Sequence, residues 1–486
     1  MNATALAFLI VSYFILLLGI SLITGRKTSN AGFFLGNKKS PWYIVAFGMI
    51  GASLSGVTFI SVPGWVAASQ FSYMQMVLGY LLGYMVIAYI LMPLYYRLNL
   101  TSIYTYLDTR FGHRSYKTGA SFFLLSRTIG AAFRLYLMAT VLQITIFQSW
   151  GIPFWVTVVI TILLIWLYTF RGGIKTIIWT DTLQTFFMLL SVIMTLIFVS
   201  KAMGLDFQGM IHTVKKSDFS RLFFFDNWHD KRFFWKQFLA GAFITIVMTG
   251  LDQDMMQKNL SCKNIGEAKK NMFWFSITLV PVNLLFLSLG VLLYLFAIHQ
   301  GIPVPERADE LFPVIATRGY LPPIVAAFFM LGLIAAAYSS ADSALTALTT
   351  SFTVDILPTK GKDEKQVKKI RMRVHIFISL ILIALILVFR SINNQSVISS
   401  VFEAAGYTYG PLLGLYSFGL FTKWNVRDKW VPVIAILSPV ISYLIKIQAG
   451  HWFGYQMGFE LLILNGTLTF LGLLMLRRGI KKERSS

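Results

Sequence analysis

The stretch GLIAAAYSSADSALT, Gly332–Thr346, combines the composition of a membrane helix with several small polar side chains. On a helix, one face would carry the four small residues spaced i, i+3, i+4 and i+7: Ala336, Ser339, Ser340 and Ser343. Asp342 lies at the edge of that face, and a carboxylate at membrane depth is costly unless it meets a partner or a wet cavity. Oxygen ligands of this kind suit a hard cation such as Na⁺. A packing seam of small residues between helices is the alternative.

The composition of the whole chain is that of a membrane protein. Hydrophobic residues make up 56% of the 486 residues, charged residues make up 13%, and the mean hydropathy is +0.68. A soluble domain carries about 25% charged residues, and one membrane span needs about 20 apolar residues. The sequence therefore predicts an all-α polytopic membrane protein with about thirteen transmembrane helices. These spans are predicted near 3–24, 43–65, 72–96, 118–148, 153–170, 177–200, 235–256, 271–298, 322–353, 374–389, 395–421, 430–446 and 453–476.

The net charge of +22 follows the membrane topology. Most of the 42 Lys and Arg fall in alternate loops, which the positive-inside rule assigns to the cytoplasm: 25–42, 97–117, 171–176, 257–270, 354–373, 422–429 and 477–486. The N-terminus is then outside and the C-terminus cytoplasmic, in the plasma (inner) membrane. The basic cluster Lys360–Arg373 is expected to touch anionic lipid. No nucleic-acid partner is expected.

Enzyme chemistry finds no support in the sequence. The single cysteine, Cys262, falls in a predicted cytoplasmic loop, which excludes disulfides and thiolate metal sites within the chain. The six histidines show no metal-ligand spacing, and neither a phosphate loop nor a nucleophile motif occurs.

The spans divide into two groups that begin in the same way. Each group opens with a helix interrupted by glycine and polar residues: GMIGASLSG at Gly48–Gly56 and TGLDQD at Thr249–Asp254. Interrupted helices at matching positions in two halves indicate the central site of a secondary transporter. We therefore expect one transporter domain over residues 1–486. Its expected parts are an extra N-terminal helix at 3–24, five-helix repeats at 43–200 and 235–421, and two extra helices in 430–476.

Four motifs resemble the sodium:solute symporter family. RGGIKTIIWTDTLQTFFM, Arg171–Met188, is similar to the family signature GG-x(4–5)-WTD-x-x-Q, and TGLDQDMMQKNL, Thr249–Leu260, is similar to DQ-x-x-x-Q-[RK]-x-L. The segments Asp309–Ile356 and Ala404–Phe421, the latter with GP-x-x-G, resemble the eighth and tenth core helices. The resemblance implies a LeuT-type five-plus-five inverted repeat with flanking helices, and solute uptake driven by the sodium gradient.

The resemblance also implies residues for cation binding. The shared sodium site would use the backbone oxygens of Gly51 and Leu54, the carbonyl group of Ala336, and the hydroxyl groups of Ser339 and Ser340. Some relatives have a second cation site. Here its ligands would be Asp181, Ser339, Asp342 and Ser343, with Asp342 at a position where a hydroxyl group often stands. Na⁺ is thus the expected cofactor, as one ion or two.

The solute-binding site is expected near the two helix interruptions. Ser55 and Thr58 follow the first interruption, whereas Asp252 and Gln253 lie at the second. Two arginines seven residues apart, Arg127 and Arg134, lie within one span, where they either bind solute or pair with Asp181, Asp252 or Asp342. Tyr407 and Tyr409, near the tenth-helix break, are candidate gate residues.

These observations favour sodium-coupled symport of a small polar solute into the cell by alternating access. The arginines favour a carboxylated or otherwise anionic solute, with a sugar as the other possibility. A proton-coupled symporter of the same fold, with Asp342 or Asp181 titrating, is one alternative. A membrane sensor that binds solute without transporting it is another. The partners are then the solute and the lipid bilayer, and the oligomeric state stays open.

Overall fold

The computed structural model describes residues 3–24, 38–100, 102–358, 361–392 and 397–480, without the side chains of 167–173, 175, 364, 392, 479 and 480. Helices account for nearly all of the regular structure in these ranges. They are α1 (Ala3–Thr24), α2 (Trp42–Ser69), α3 (Tyr73–Val86), α4 (Met92–Arg97), α5 (Thr105–Arg110), α6 (His113–Thr145), α7 (Phe154–Ala202), α8 (Phe207–Lys216), α9 (Phe234–Thr245), α10 (Gln253–Leu260), α11 (Ile265–His299), α12 (Leu311–Thr317), α13 (Pro323–Ser351), α14 (Glu364–Ile392), α15 (Val397–Thr408), α16 (Gly410–Phe421), α17 (Val431–Phe453) and α18 (Leu461–Met475).

Every predicted span contains an apolar helix. Among the described residues, nine helices are long and apolar enough to cross a membrane, and the bent pair Phe234–Gly250 and Gln253–Leu260 makes a tenth span. Three shorter apolar helices lie in the remaining predicted spans: Phe154–Trp166, Gly410–Phe421 and Leu461–Met475. The long element α7 thus holds two of the predicted spans, the second at Thr176–Ala202.

The expectation of an all-α chain omits one small feature. Strand β1 (Trp424–Val426) pairs with β2 (Arg477–Ile480) to form an antiparallel two-stranded ribbon. The ribbon joins the segment after α16 to the segment after α18. Three- and four-residue strands are too short to leave a periodic signal in the sequence.

The loop predicted at 257–270 begins later than the sequence suggests. Residues Gln257–Leu260 belong to α10 and are buried, and the side chain of Lys258 is 1% exposed. Cys262, expected in a cytoplasmic loop, is completely buried beside Ser40, with which it forms a backbone bridge. Lys258 is therefore an interior charge rather than a loop charge that reports topology.

Both predicted helix interruptions are present. In α2 the backbone leaves the helical conformation at Ser55, which has φ 49° and ψ 171°. A non-glycine residue rarely adopts such a positive φ, and backbone strain of this kind concentrates at functional sites. The second interruption follows a π-helical turn at Ile246–Gly250, and the helices on its two sides meet at 67°.

Glycines place the interrupted helix α2 between α7 and α13. A Cβ atom on Gly51 would lie 2.2 Å from Thr185 Oγ1, and one on Gly48 would lie 3.1 Å from Asp181 Cβ. After the interruption, a Cβ atom on Gly56 would lie 3.2 Å from the Cα atom of Ala337 on α13. The broken segment is therefore in direct contact with the WTD helix and with the polar face of α13.

Helices α3 and α9 pack backbone to backbone. A Cβ atom on Gly79 would lie 2.0 Å from the Phe238 carbonyl oxygen, and one on Gly241 would lie 2.1 Å from the Met76 carbonyl oxygen. Small residues at such a seam let helices approach closely, which is a main source of helix association inside a membrane.

We expect Gly79→Ala to destabilise the protein by about 1–3 kcal/mol, because the added methyl group collides with a backbone carbonyl that cannot rotate away. Gly450→Ala is the matched control, since nothing lies within 4 Å of a Cβ atom there. Thermal unfolding of the purified protein in detergent measures both. Equal melting temperatures for the two variants would contradict the close packing of α3 and α9.

Candidate functional site

The interruption of α2 leaves backbone oxygens available for a ligand. A helix end leaves its last carbonyl groups without amide partners, so the turn that contains Gly51 and Leu54 presents carbonyl oxygens at the break. No side chain in the described part of the chain donates a hydrogen bond to the carbonyl groups of residues 51–54. The Gly51 amide is held by Thr185 Oγ1 at 3.1 Å.

The second interruption differs because its carbonyl groups are already used. Tyr95 donates its hydroxyl to the Gly250 carbonyl oxygen, and Tyr104 donates to that of Leu251, each at 2.9 Å. Asp252 caps the following helix by accepting from the Asp254 and Met255 amides. The two interruptions therefore differ: described side chains donate to the backbone carbonyl groups of the second, and none does so to residues 51–54 at the first.

The hydroxyl groups predicted to complete the sodium site lie on the buried face of α13. Ser339 donates to Asp181 Oδ1 at 2.6 Å, and Ser340 lies 3.2–3.3 Å from the carbonyl oxygens of Ala337 and Ala336 in its own helix. A hydroxyl group that donates its hydrogen keeps both lone pairs free. Uncharged oxygens on two contacting helices are a donor set that fits a monovalent hard cation.

Two neighbouring side chains contact the Asp181 carboxylate, one on each oxygen. Besides the Ser339 hydroxyl on one oxygen, the Lys258 ammonium lies 2.8 Å from Asp181 Oδ2. Both charged side chains are 1% exposed. The ion pair therefore ties α7 to α10, away from solvent.

The other two residues predicted for a second cation lie next to this pair. Asp342 is fully buried on α13 and acts electrostatically on Lys258. Ser343 is 1% exposed, and its Oγ atom has no hydrogen-bond partner among the described residues. The predicted second-cation set thus lies together with a lysine that the set did not include.

A small cavity of about 80 Å³ opens beside the first interruption. It is lined by Ser55 and Thr58, by Arg127 and Arg134 of α6, and by polar side chains from other helices. The further polar and aromatic lining residues are Ser53, Tyr73, Tyr80, Tyr84, Thr245, Thr249, Asn283 and Phe402. This mixture of hydroxyl, amide and aromatic groups around two guanidinium groups suits a polar organic molecule.

Arg127 is paired inside the protein. Its guanidinium contacts Asp254 Oδ2 directly and lies 3.6 Å from Asp252 Oδ2. Asp252 also accepts a hydrogen bond of 2.8 Å from the Tyr409 hydroxyl. A fully buried guanidinium is thus balanced by two carboxylates at the second interruption.

Arg134 differs from Arg127 in forming no salt bridge with a described residue, although the Asp252 and Asp254 charges act on it from a greater distance. It is 8% exposed, faces the cavity, and forms neither a salt bridge nor a hydrogen bond with any residue that the structure describes. Its Nε atom is buried without a partner. A guanidinium in this state is ready for a planar anion supplied by a ligand.

Two predicted solute-binding residues do not reach the cavity. The Asp252 carboxylate is used by the helix cap, Tyr409 and Arg127, whereas Gln253 Oε1 accepts from the Ile103 amide at 2.9 Å. Neither residue lines the cavity. Both residues therefore make contacts within the protein at the second interruption.

The predicted gate residues also lie outside the cavity lining. Tyr409 is buried against Asp252, and Tyr407 lies beside Lys446 and Tyr443. An aromatic layer instead joins the lining of the cavity to that of a second cavity, the vestibule, which contains Lys231 and Arg232. The layer consists of Trp65, Tyr73, Phe402 and Phe459, which contact one another with ring centroids 5.2–6.4 Å apart.

In the vestibule, Arg232 hydrogen-bonds to Asp230 and lowers the pKa of that carboxyl group. Lys446 pairs in the same way with Glu403, so Lys231 is the basic side chain of the vestibule that forms no salt bridge with a described residue.

Sequence reasoning missed two charged residues of the site, Asp254 and Lys258. Their i, i+4 spacing marks both residues as charges on one helix face and suggests an ion pair between them. In the structure the two residues take partners on other helices, Arg127 and Asp181.

Residues 33–427 match the sodium:solute symporter family. The chain belongs to this family. It is 27% identical to the sodium/sialic acid symporter of Aliivibrio fischeri over 91% of this chain and 88% of the relative. It is 24% identical to the human sodium-coupled monocarboxylate transporter 2, over 85% and 69% of the two chains.

The fold agrees with that assignment. A substrate-bound, outward-open structure of a Na⁺-coupled sialic acid symporter superposes with a TM-score of 0.81 at 21% identity, covering 97% of both chains. The protein is thus a multi-pass, LeuT-type membrane transporter of a sodium-coupled family, and not an enzyme.

We expect Arg127→Met to destabilise the protein by about 3–5 kcal/mol, because it leaves the buried Asp254 carboxylate without its counter-charge. Adding Asp254→Asn should recover part of the loss. Arg134→Met is the matched control and should be neutral or stabilising, since no described side chain loses a partner. Thermal unfolding in sodium-free buffer compares them, and an equal loss for both arginines would contradict the pairing.

Proposed function

We propose that this transporter takes up a small carboxylated solute together with Na⁺. The observation that carries the proposal is Arg134, a guanidinium that faces a polar cavity without a salt bridge or hydrogen bond to any described residue. A buried charge of this kind is costly unless a ligand supplies the opposite charge. A carboxylate matches the geometry of the guanidinium with two parallel hydrogen bonds.

Two further features support an acid. The half-helix that follows Ser55 begins at the cavity, and the positive end of a helix attracts anionic groups. Two similar proteins are named for acids, one for sialic acid and one for monocarboxylates. The hydroxyl and amide groups around the cavity, such as Thr58, Thr249 and Asn283, would bind the polar remainder of the solute.

Sodium would bind where the interrupted helix α2 meets α13. The proposed ligands are the backbone oxygens of Gly51, Leu54 and Ala336 and the hydroxyl groups of Ser339 and Ser340. An ion there joins the segment that ends at Ser55 to a neighbouring helix, and Ser55 itself lines the solute cavity. Sodium binding and solute binding therefore stabilise the same local arrangement, and each must raise the affinity for the other by the same factor.

The topology completes the proposal. We place the two five-helix repeats at 43–200 and 235–421, because the interrupted helices α2 and α9–α10 open them. The basic loops favour an N-terminus outside and a C-terminus in the cytoplasm of the plasma membrane. The vestibule is then on the outer side, where its excess of one positive charge, from Lys231, favours anions near the entrance.

The first test is a thermal-shift screen of the purified protein against sialic acid, short monocarboxylates and hexoses, in sodium chloride or choline chloride. A carboxylate at a hundred times its Kd should stabilise the protein by about 2.7 kcal/mol, and only in sodium. Arg134→Gln should abolish that shift and Arg134→Lys should weaken it, because lysine cannot form two parallel hydrogen bonds. Arg390→Gln, an exposed arginine, should leave it unchanged. If a hexose were the only compound that stabilised the protein, and Arg134→Gln did not change that stabilisation, the proposal of a carboxylated solute would be rejected.

The second test addresses the cation. Ser340→Ala should abolish the sodium-dependent part of the shift, because it removes one proposed ligand. Ser438→Ala is the matched control, since the buried Ser438 hydroxyl also donates to a carbonyl four residues earlier and lies on α17. Proteoliposome uptake that persists without sodium and collapses with the pH gradient would instead select proton coupling.

A further inference from the structure

Asn283 brings a hydrogen-bond acceptor without a donor to the lining of the solute cavity. It lies on α11, is 1% exposed, and its Nδ2 atom donates to the Leu279 carbonyl oxygen at 2.8 Å. A carbonyl oxygen can only accept, so this contact fixes the orientation of the amide and leaves Oδ1 as the remaining polar atom. Oδ1 is buried and has no hydrogen-bond partner among the described residues. An acceptor in this state is costly until a donor reaches it.

Hydroxyl groups elsewhere in the lining place no such requirement on the solute. Tyr73 and Tyr80, for example, form a hydrogen bond of 3.1 Å with each other. A hydroxyl group both donates and accepts, so it fits a solute group of either kind. An amide oxygen only accepts. Asn283 therefore requires a hydrogen-bond donor on the solute.

Arg134 places the opposite requirement on the solute. A guanidinium group only donates, and this one forms no salt bridge or hydrogen bond with any residue that the structure describes. Arg134 and Asn283 lie on different helices, α6 and α11, and line the same cavity. A solute that satisfies both carries an anionic acceptor and, at another position, a donor.

The lining favours a hydroxyl group over an ammonium group as that donor. No aspartate or glutamate is found among the described residues that line the cavity. Asp252 and Asp254 act on Arg134 from a distance, but they lie outside the lining and their carboxylates face Arg127. An ammonium group carries three donors and a full charge, and here it would find no carboxylate to contact. A hydroxyl group needs only one acceptor.

We infer that the solute is a short hydroxycarboxylate, whose carboxylate binds Arg134 and whose hydroxyl group donates to Asn283 Oδ1. The chain is short because a cavity of about 80 Å³ holds on the order of six water molecules. Asn283 is then the residue that selects hydroxylated acids over plain acids and amino acids. The inference rests on the proposed function, from which it takes the carboxylate and Arg134. It adds the second functional group of the solute and the residue that binds it.

A purely structural role is the alternative, in which Asn283 serves only to hydrogen-bond to Leu279 within its own helix. Loss of a structural asparagine changes the affinity for every acid by the same factor. Loss of a residue that binds the solute hydroxyl changes the affinity for hydroxylated acids alone. The ratio of affinities within a set of acids of equal chain length therefore distinguishes the two roles.

The experiment measures Kd by isothermal titration calorimetry for two matched sets of acids, used as racemates, in sodium chloride. The first set is lactate, propionate and alanine, and the second is 3-hydroxybutyrate, butyrate and 3-aminobutyrate. Within a set, one carbon carries a hydroxyl group, a hydrogen atom or an ammonium group. For the natural protein we expect the hydroxy acid of at least one set to bind about tenfold or more tightly than the other two members, because only it satisfies Asn283 without adding a charge.

Asn283→Leu should remove that preference, because leucine keeps the volume and lacks the acceptor. The affinity for the hydroxy acid should fall by about tenfold or more, to that of the plain acid, whose affinity should not change. Asn271→Leu is the matched control. Asn271 is buried on the same helix and its Oδ1 also lacks a partner among the described residues, but it does not line the cavity. This variant should keep the preference of the natural protein.

The outcomes separate this inference from the proposed function. Equal affinities for hydroxy and plain acids, both lost in Arg134→Gln, would overturn the role of Asn283 and leave the carboxylated solute in place. Tighter binding of an amino acid, or a hydroxyl preference that persists in Asn283→Leu, would also overturn it. So would an absence of binding by all of these acids, whereas the screen above, which includes a larger acid, decides on the proposed function. The comparison within the natural protein is decisive even if Asn283→Leu does not fold.

Discussion

Charge compensation without water is the constraint on which the interior of this transporter depends. Four helices, α6, α7, α10 and α13, bring ionised side chains into a region that solvent does not reach. Arg127 meets two carboxylates and Lys258 meets Asp181, so the positions of these helices are fixed by ion pairs as well as by apolar packing. Such pairs add little to the free energy of unfolding, but removing one partner is strongly destabilising because it leaves a buried charge uncompensated. The pairs therefore determine how the helices are arranged.

The two interrupted helices differ in the groups that hydrogen-bond to their backbone at the break. Where α9 gives way to α10, tyrosine hydroxyls take up the carbonyl groups and an aspartate takes up the amides. At Ser55 no described side chain does this for the carbonyl groups of residues 51–54. Side chains therefore satisfy the backbone at one interruption and leave the carbonyl groups of residues 51–54 without a side-chain donor at the other. The solute cavity opens next to the latter.

Much of this could be read from the sequence because it depends on composition and local spacing. Apolar runs gave the spans, and glycine with polar residues gave both interruptions. The polar face of α13 followed from helical periodicity. The partners of charged residues could not be read, because they are set by contacts between distant helices. The sequence places Lys258 in a loop, and it does not distinguish Arg127 from Arg134, whereas the structure gives a salt bridge to Asp254 for Arg127 alone among these two. The aromatic layer over the cavity was missed for the same reason, since its four rings come from four separate segments.

The burial of Cys262 has a practical consequence for following conformational change. The chain contains this one thiol, and the structure encloses it completely. Burial, together with the nearby Glu267 charge, also raises the pKa of the thiol to about 12, which suppresses the reactive thiolate. Cysteines introduced in pairs on either side of the cavity would therefore accept spin labels or fluorophores in the otherwise natural sequence. Distances across the transport cycle become measurable without first replacing a native residue.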